Sequence, residues 1–124
     1  MGSMIRSYRD LIAWQRAFAL GCTVHRLTRK FPKDEMFGLT SQLRRAATSV
    51  ALNIAEGYGK GTTPDYVRYL RTSRGSLYEV DTGLLFALEF EYIIQDDYRP
   101  AKDLLDEAER VLAGLIRSLD PDGR

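Results

Sequence analysis

Gln42, Arg45, Ser49, Asn53 and Glu56 recur at steps of three or four residues, so on a helix they form one stripe. A solvated stripe would be mostly Lys and Glu. This one mixes amide, guanidinium, hydroxyl and carboxylate groups, which can satisfy one another where water is scarce. Ser76 and Glu79, from a later helical segment, extend the set. The seven residues are expected to form a structural polar network, mostly buried and mutually hydrogen-bonded. Glu56 and Glu79 are the carboxylates on these stripes. As an acid/base pair they would need a cleft and a substrate. As partners for Arg45 and for the Ser49 and Ser76 hydroxyls they need nothing further, so no catalytic residue is assigned.

Other reactive types are sparse. Cys22 and His25 lie three apart, but a zinc site or a Cys–His nucleophile needs further ligands or an orienting acid, and the chain has no other Cys or His. The bundle di-metal pattern, Glu-x-x-His, does not occur, so no metal or cofactor is expected. Gly57-Tyr58-Gly59-Lys60-Gly61-Thr62-Thr63 invites a phosphate-loop reading. That signature needs Gly five residues before the Gly-Lys pair, where Ile54 stands, and a strand before the loop, where a helix is expected. A helix connection is the simpler reading. Arg16, Arg26, Lys30, Arg68 and Arg71 are the residues best placed to contact phosphates of RNA or DNA, with Arg44, Arg45 and Arg74 nearby in type.

Four helical segments must position these groups. The first spans about residues 10–30, with Leu11, Trp14, Ala17, Phe18, Cys22 and His25 expected on its inner face, and it stops at Phe31-Pro32. The second spans about 35–58. Its apolar stripe is Leu39, Leu43, Ala46, Ala47, Val50 and Ile54, and its remaining face is small or apolar enough to suggest burial on more than one side. The third opens with Thr63 as N-cap and Pro64 at the first helical position. It presents Tyr66, Leu70, Ser73, Leu77, Val80, Leu84 and Leu88 inward, with Gly75 and Gly83 on the other side marking a close approach by another element. The fourth begins near Asp96-Asp97 and reaches Leu119. Pro100 predicts a kink or a later start. Short connections make sequential helices antiparallel neighbours, so the expected fold is all-α, an up-down-up-down four-helix bundle in one domain over residues 1–124. Met1-Gly2-Ser3 reads as a cloning remnant, and residues 120–124 as a frayed tail.

Composition agrees. The net charge of +1 hides a net of +8 over residues 1–75 (13 Lys/Arg, 5 Asp/Glu) and −7 over 76–124 (5 against 12). Such a split suits either a polyanion partner or pairing between the two halves, within one subunit or between subunits; pairing needs no third party. No apolar run approaches the roughly 20 residues that span a bilayer, no secretory segment is apparent, and one cysteine fits a reducing cytoplasm.

The chain resembles a bacterial four-helix-bundle family first noticed as reading frames inside intervening sequences of large-subunit ribosomal RNA genes. The resemblance covers about residues 7–119. It rests on Leu11 and Trp14, on Phe31-Pro32 with Glu35 and Phe37-Gly38-Leu39, and on Gln42, Arg44-Arg45-Ala46, Ser49 and Asn53-Ile54-Ala55-Glu56-Gly57. Arg74-Gly75-Ser76 and Glu79 complete it. Tyr8 and Val50 depart mildly from the family pattern, and the Pro100 region more so. The resemblance implies a bundle that assembles into a ring, a homopentamer, without established enzymatic activity and with no defined functional residues. A related bundle is the accessory protein of diversity-generating retroelements, which implies a reverse transcriptase and nucleic acid as partners of that relative. The reading is therefore a non-enzymatic, cytoplasmic, self-assembling module for interaction or nucleic-acid (RNA) binding, with a pure protein scaffold as the alternative.

Overall fold

The computed structural model describes residues 4–122; residues 1–3, expected to be a cloning remnant, and residues 123–124 of the expected tail lie outside them. Four helices follow in order: α1 (Ile12–Thr28), α2 (Leu39–Tyr58), α3 (Thr63–Glu89) and α4 (Gln95–Leu119), with 3₁₀ turns at Tyr8–Asp10 and Lys33–Glu35. Each helix packs on its two sequence neighbours and α4 closes on α1, while the diagonal pairs stay apart. Four residues join α2 to α3 and five join α3 to α4, so neighbours run antiparallel. The four-helix bundle is thus the observed fold.

The core comes from one stripe per helix. On α2, Leu43, Ala46, Ala47, Val50 and Ile54 are buried, and on α3 Leu70, Ser73, Leu77, Val80 and Leu84 are buried, as their spacing predicts. Leu105, Ala108, Leu112 and Ile116 do the same on α4. On α1 the inward stripe is Ala13, Ala17, Leu20, Val24 and Leu27, a strict alternation of three- and four-residue steps. The expected face of Trp14, Phe18, Cys22 and His25 is rotated to the flank. Trp14 and Cys22 are half-buried, His25 is exposed, and Phe18 is 54% exposed. Two apolar stripes overlap on this helix, and α1 meets α2 closely between them, at Gly21, where an added Cβ would lie 3.6 Å from the Ala47 carbonyl oxygen.

The helix ends correct several expectations. Ser7 and Asp10 cap the 3₁₀ turn before α1, so the helix itself starts two residues later than its pattern suggests. Thr62, not Thr63, caps α3, its hydroxyl accepting from the Asp65 amide, which places Pro64 one position further in. α4 begins at Gln95, its Asp97 carboxylate accepting from the Ile94 amide, and continues through Pro100 without a later start. Asp120 is not frayed: it pairs with Arg71.

The two α3 glycines differ. Gly83 is buried, and a Cβ there would lie 2.6 Å from Leu43 Cδ2 and 2.9 Å from its Cγ. The close approach expected from sequence is therefore α2 of the same chain. Around Gly75 nothing lies within 4 Å of such a Cβ.

Candidate interaction surfaces

Two grooves flank α2. The α2–α3 groove has a volume of about 520 Å³. Leu39, Leu43 and Ala46 line it from α2 and Gly75 and Gly83 from α3, with Tyr78 and Phe86 as aromatic walls. The polar stripe follows its edge and splits there. Asn53 Nδ2 donates to the Ser49 carbonyl and to Ser49 Oγ, both at 2.9 Å, and Ser76 Oγ donates to Ser49 Oγ at 3.0 Å. One level deeper, the fully buried Ser73 hydroxyl donates to the Val50 carbonyl at 2.6 Å. Gln42, Arg45, Glu56 and Glu79 are instead exposed on the single chain. Glu56 reaches only Lys60, at 3.8 Å; Gln42, Arg45 and Glu79 have no side-chain partner among the described residues. The α2–α3 contact brings the two serines together, whereas the longer side chains lie on the outer side of the same stripe.

The α1–α2 groove, about 570 Å³, is almost wholly apolar. Ala17, Gly21, Ala47 and Ala51 contribute small residues, and Trp14 and Phe18 stack with ring centroids 5.0 Å apart. Leu52, 65% exposed, stands at its rim, so the expected second buried side of α2 is open in the single chain. Cys22 and His25 lie in this groove. Among the described residues, no group of three or more His, Cys, Asp or Glu side chains is arranged to hold a metal ion.

The five proposed phosphate contacts do not converge. Arg16 pairs with Glu107 at 2.9 Å, Lys30 with Asp97 at 2.6 Å, Arg71 with Asp120 at 2.7 Å and Arg68 with Asp65 at 3.2 Å. Arg26 alone has no carboxylate partner among the described residues. Arg68 and Arg71 share a shallow cleft with Thr63, Pro64 and Asp120. Three of the four pairs tie the basic half of the chain to α4 or the residue just beyond it, the arrangement the charge asymmetry allowed. Lys30 and the Ile94 amide hold the Asp97 carboxyl below its ordinary value, as Arg68 and Thr62 do for Asp65.

One device escaped the sequence reading. Glu35 Oε1 accepts from the Leu39 amide at 2.9 Å, and its Oε2 accepts from the Tyr92 hydroxyl at 2.6 Å. The Tyr92 hydrogen bond, then that of Leu39, hold the Glu35 carboxyl below the usual glutamate range. The clamp ties the α1–α2 connection to the α3–α4 turn, a pairing across 57 positions that no local pattern signals. The glycine-containing connection after α2 is a turn, with Gly61 at φ +88°, and Gly57 is the last buried contact of α2.

Fold and surfaces define an all-helical bundle with open grooves on either side of α2. The chain belongs to the 23S rRNA-intervening sequence protein family, whose model matches residues 9–114. Among solved structures it is similar to a protein with unknown function from the S23 ribosomal protein family of Bacteroides thetaiotaomicron. That likeness has a TM-score of 0.80 at 19% identity and covers 88% of this chain and 98% of that one; at such identity it speaks to the fold alone. No curated protein matches the chain. Among the described residues no helix is long and apolar enough to cross a membrane.

Proposed function

We infer that this protein is a non-enzymatic helical-bundle module that works as a homo-oligomer, with the α2–α3 face as part of its self-association surface. The observation that carries this reading is the groove itself. Gln42, Arg45 and Glu79 stand without partners beside an apolar floor with two aromatic walls, a mixture that a second protein surface both covers and satisfies. The family resemblance implies five subunits, and the single cysteine suits a reducing cytoplasm. Light scattering tests the reading: a species several times the 14.1 kDa chain mass at micromolar concentration supports it, and a monomer there overturns it. Arg45→Met and Glu79→Gln should dissociate the oligomer while leaving the monomer fold intact.

A second reading, contact with RNA or DNA, is favoured by Arg26, Arg29 and Lys33. All three are exposed near the end of α1 without a carboxylate partner among the described residues. A closed oligomer repeats that cluster once per subunit and multiplies weak phosphate contacts. Titration of single-stranded and structured RNA at low salt tests it. No binding at tens of micromolar, where non-specific binders usually register, leaves the protein scaffold as the function.

A further inference from the structure

We propose that Phe37 is the anchor of self-association, seating in the α1–α2 groove of a second copy of this chain. The proposal rests on the homo-oligomer reading and names the two surfaces that meet. Phe37 is 97% exposed, the most exposed large apolar side chain of the described residues, and Met36 beside it is 47% exposed. Together the two side chains present an apolar knob to solvent, of the aromatic and Met type enriched at protein–protein contacts.

Phe37 is also held rigidly. The 3₁₀ turn Lys33–Glu35 precedes it, the Gly38 amide donates to the Glu35 carbonyl at 2.9 Å, and the Glu35 carboxylate closes on Leu39 and Tyr92. A Cβ on Gly38 would sit 2.6 Å from Glu35 Oε1, so glycine is what lets this clamp close. A ring presented on an ordered loop loses little freedom when it docks.

The receiving surface is the α1–α2 groove. It offers stacked Trp14 and Phe18, the small residues beneath them and Leu52 at the rim, with a volume that accommodates an aromatic ring. Charge agrees with shape. Asp34, three residues before Phe37, is exposed without an ion-pair partner among the described residues, and so is Arg26, which follows the groove-lining His25 in sequence. Knob and groove are different patches, and the proposed contact is heterologous, each copy giving the knob to one neighbour and the groove to another. Phe37 lies two residues before Leu39, which lines the α2–α3 groove, so the proposed contact extends toward that groove.

The chain carries its own reporters, since its only tryptophan, Trp14, and its only cysteine, Cys22, both line the groove. In Phe37→Cys, mild oxidation should give disulfide-linked multimers on a non-reducing gel, with peptide mapping joining positions 37 and 22. Adding Cys22→Ser should remove that link. In the unmodified chain, Trp14 emission should shift to the blue on raising concentration through the assembly range. Phe37→Ala should weaken assembly on the order of 30-fold or more and lose the shift, with circular dichroism unchanged. If the unmodified chain assembles by light scattering but no 37–22 link forms and Phe37→Ala assembles normally, the anchor is wrong and the oligomer reading stands. A link between two position-37 thiols alone means a symmetric contact and also overturns the anchor. A monomer at all concentrations overturns both.

Discussion

Gly57 and Gly75 carry opposite consequences although both lie in helices. A Cβ on Gly57 would come within 2.7 Å of Tyr69 Cβ and 3.2 Å of the Tyr66 carbonyl, neither of which yields easily. Gly57→Ala should destabilise the fold by about 1–3 kcal/mol, more than the roughly 1 kcal/mol that alanine contributes as a better helix former. Gly75 has open space, so Gly75→Ala should stabilise the dilute monomer by up to about 1 kcal/mol. If the α2–α3 groove receives a second copy, the same change should weaken assembly. Urea denaturation at low concentration, paired with light scattering at high concentration, separates the two effects.

Glu35 gives a pH dependence with a defined sign. Its folded pKa lies below the ordinary value of 4.5. The carboxylate therefore contributes stability that is fully present above that value and is lost as pH falls through the lower folded one. Acidification below about pH 4.5 should release the α1–α2 connection, seen as a fall in the hydrogen-exchange protection factor of the Leu39 amide, and Glu35→Gln should abolish that step. Unchanged protection of this amide down to the pH of global unfolding would mean that the clamp does not hold the loop.

Among the elements, α4 is the one whose sequence and structure pull apart. Pro100 lies in its second turn, where it removes the amide that would bond the Asp96 carbonyl and crowds that carbonyl. The helix forms anyway because Tyr98, Ala101, Leu105, Ala108, Leu112 and Ile116 are buried along its length, and packing outweighs local propensity. Pro100→Ala should raise stability by about 1–3 kcal/mol, read from the denaturation midpoint. The α4 ion pairs contribute little by comparison: the Arg16 and Glu107 side chains are 38% and 37% exposed. Glu107→Gln should cost less than about 1 kcal/mol.

For the molecule as a whole, internal pairing governs what its charge can do. Four of the five cations nominated for phosphate binding already face carboxylates of the same chain, so a polyanion must compete with those pairs. Any RNA affinity should fall steeply with salt and depend more on Arg26, Arg29 and Lys33 than on Arg68 and Arg71. A filter-binding series with Arg26→Ala/Arg29→Ala against Arg68→Ala/Arg71→Ala checks this. Equal losses from both pairs would show that the internal ion pairs exert no control.

The helix count, the all-α class and most of the core followed from local pattern, because a 3.6-residue apolar period such as Leu70-Ser73-Leu77-Val80-Leu84 has one way to bury itself. Local pattern fails where two answers satisfy it equally. On α1 both Ala13-Ala17-Leu20-Val24-Leu27 and Trp14-Phe18-Cys22-His25 are mainly apolar stripes, and only the placement of α2 and α4 against α1 selects the first. The polar stripe was legible as a stripe, but its division into a serine–asparagine cluster and exposed outer residues depends on where α3 sits against α2. The exposure of Phe37 and the Glu35–Tyr92 clamp belong to the tertiary structure alone. A hydrogen bond across 57 positions arises from how the bundle folds back on itself, and no neighbouring residue records it.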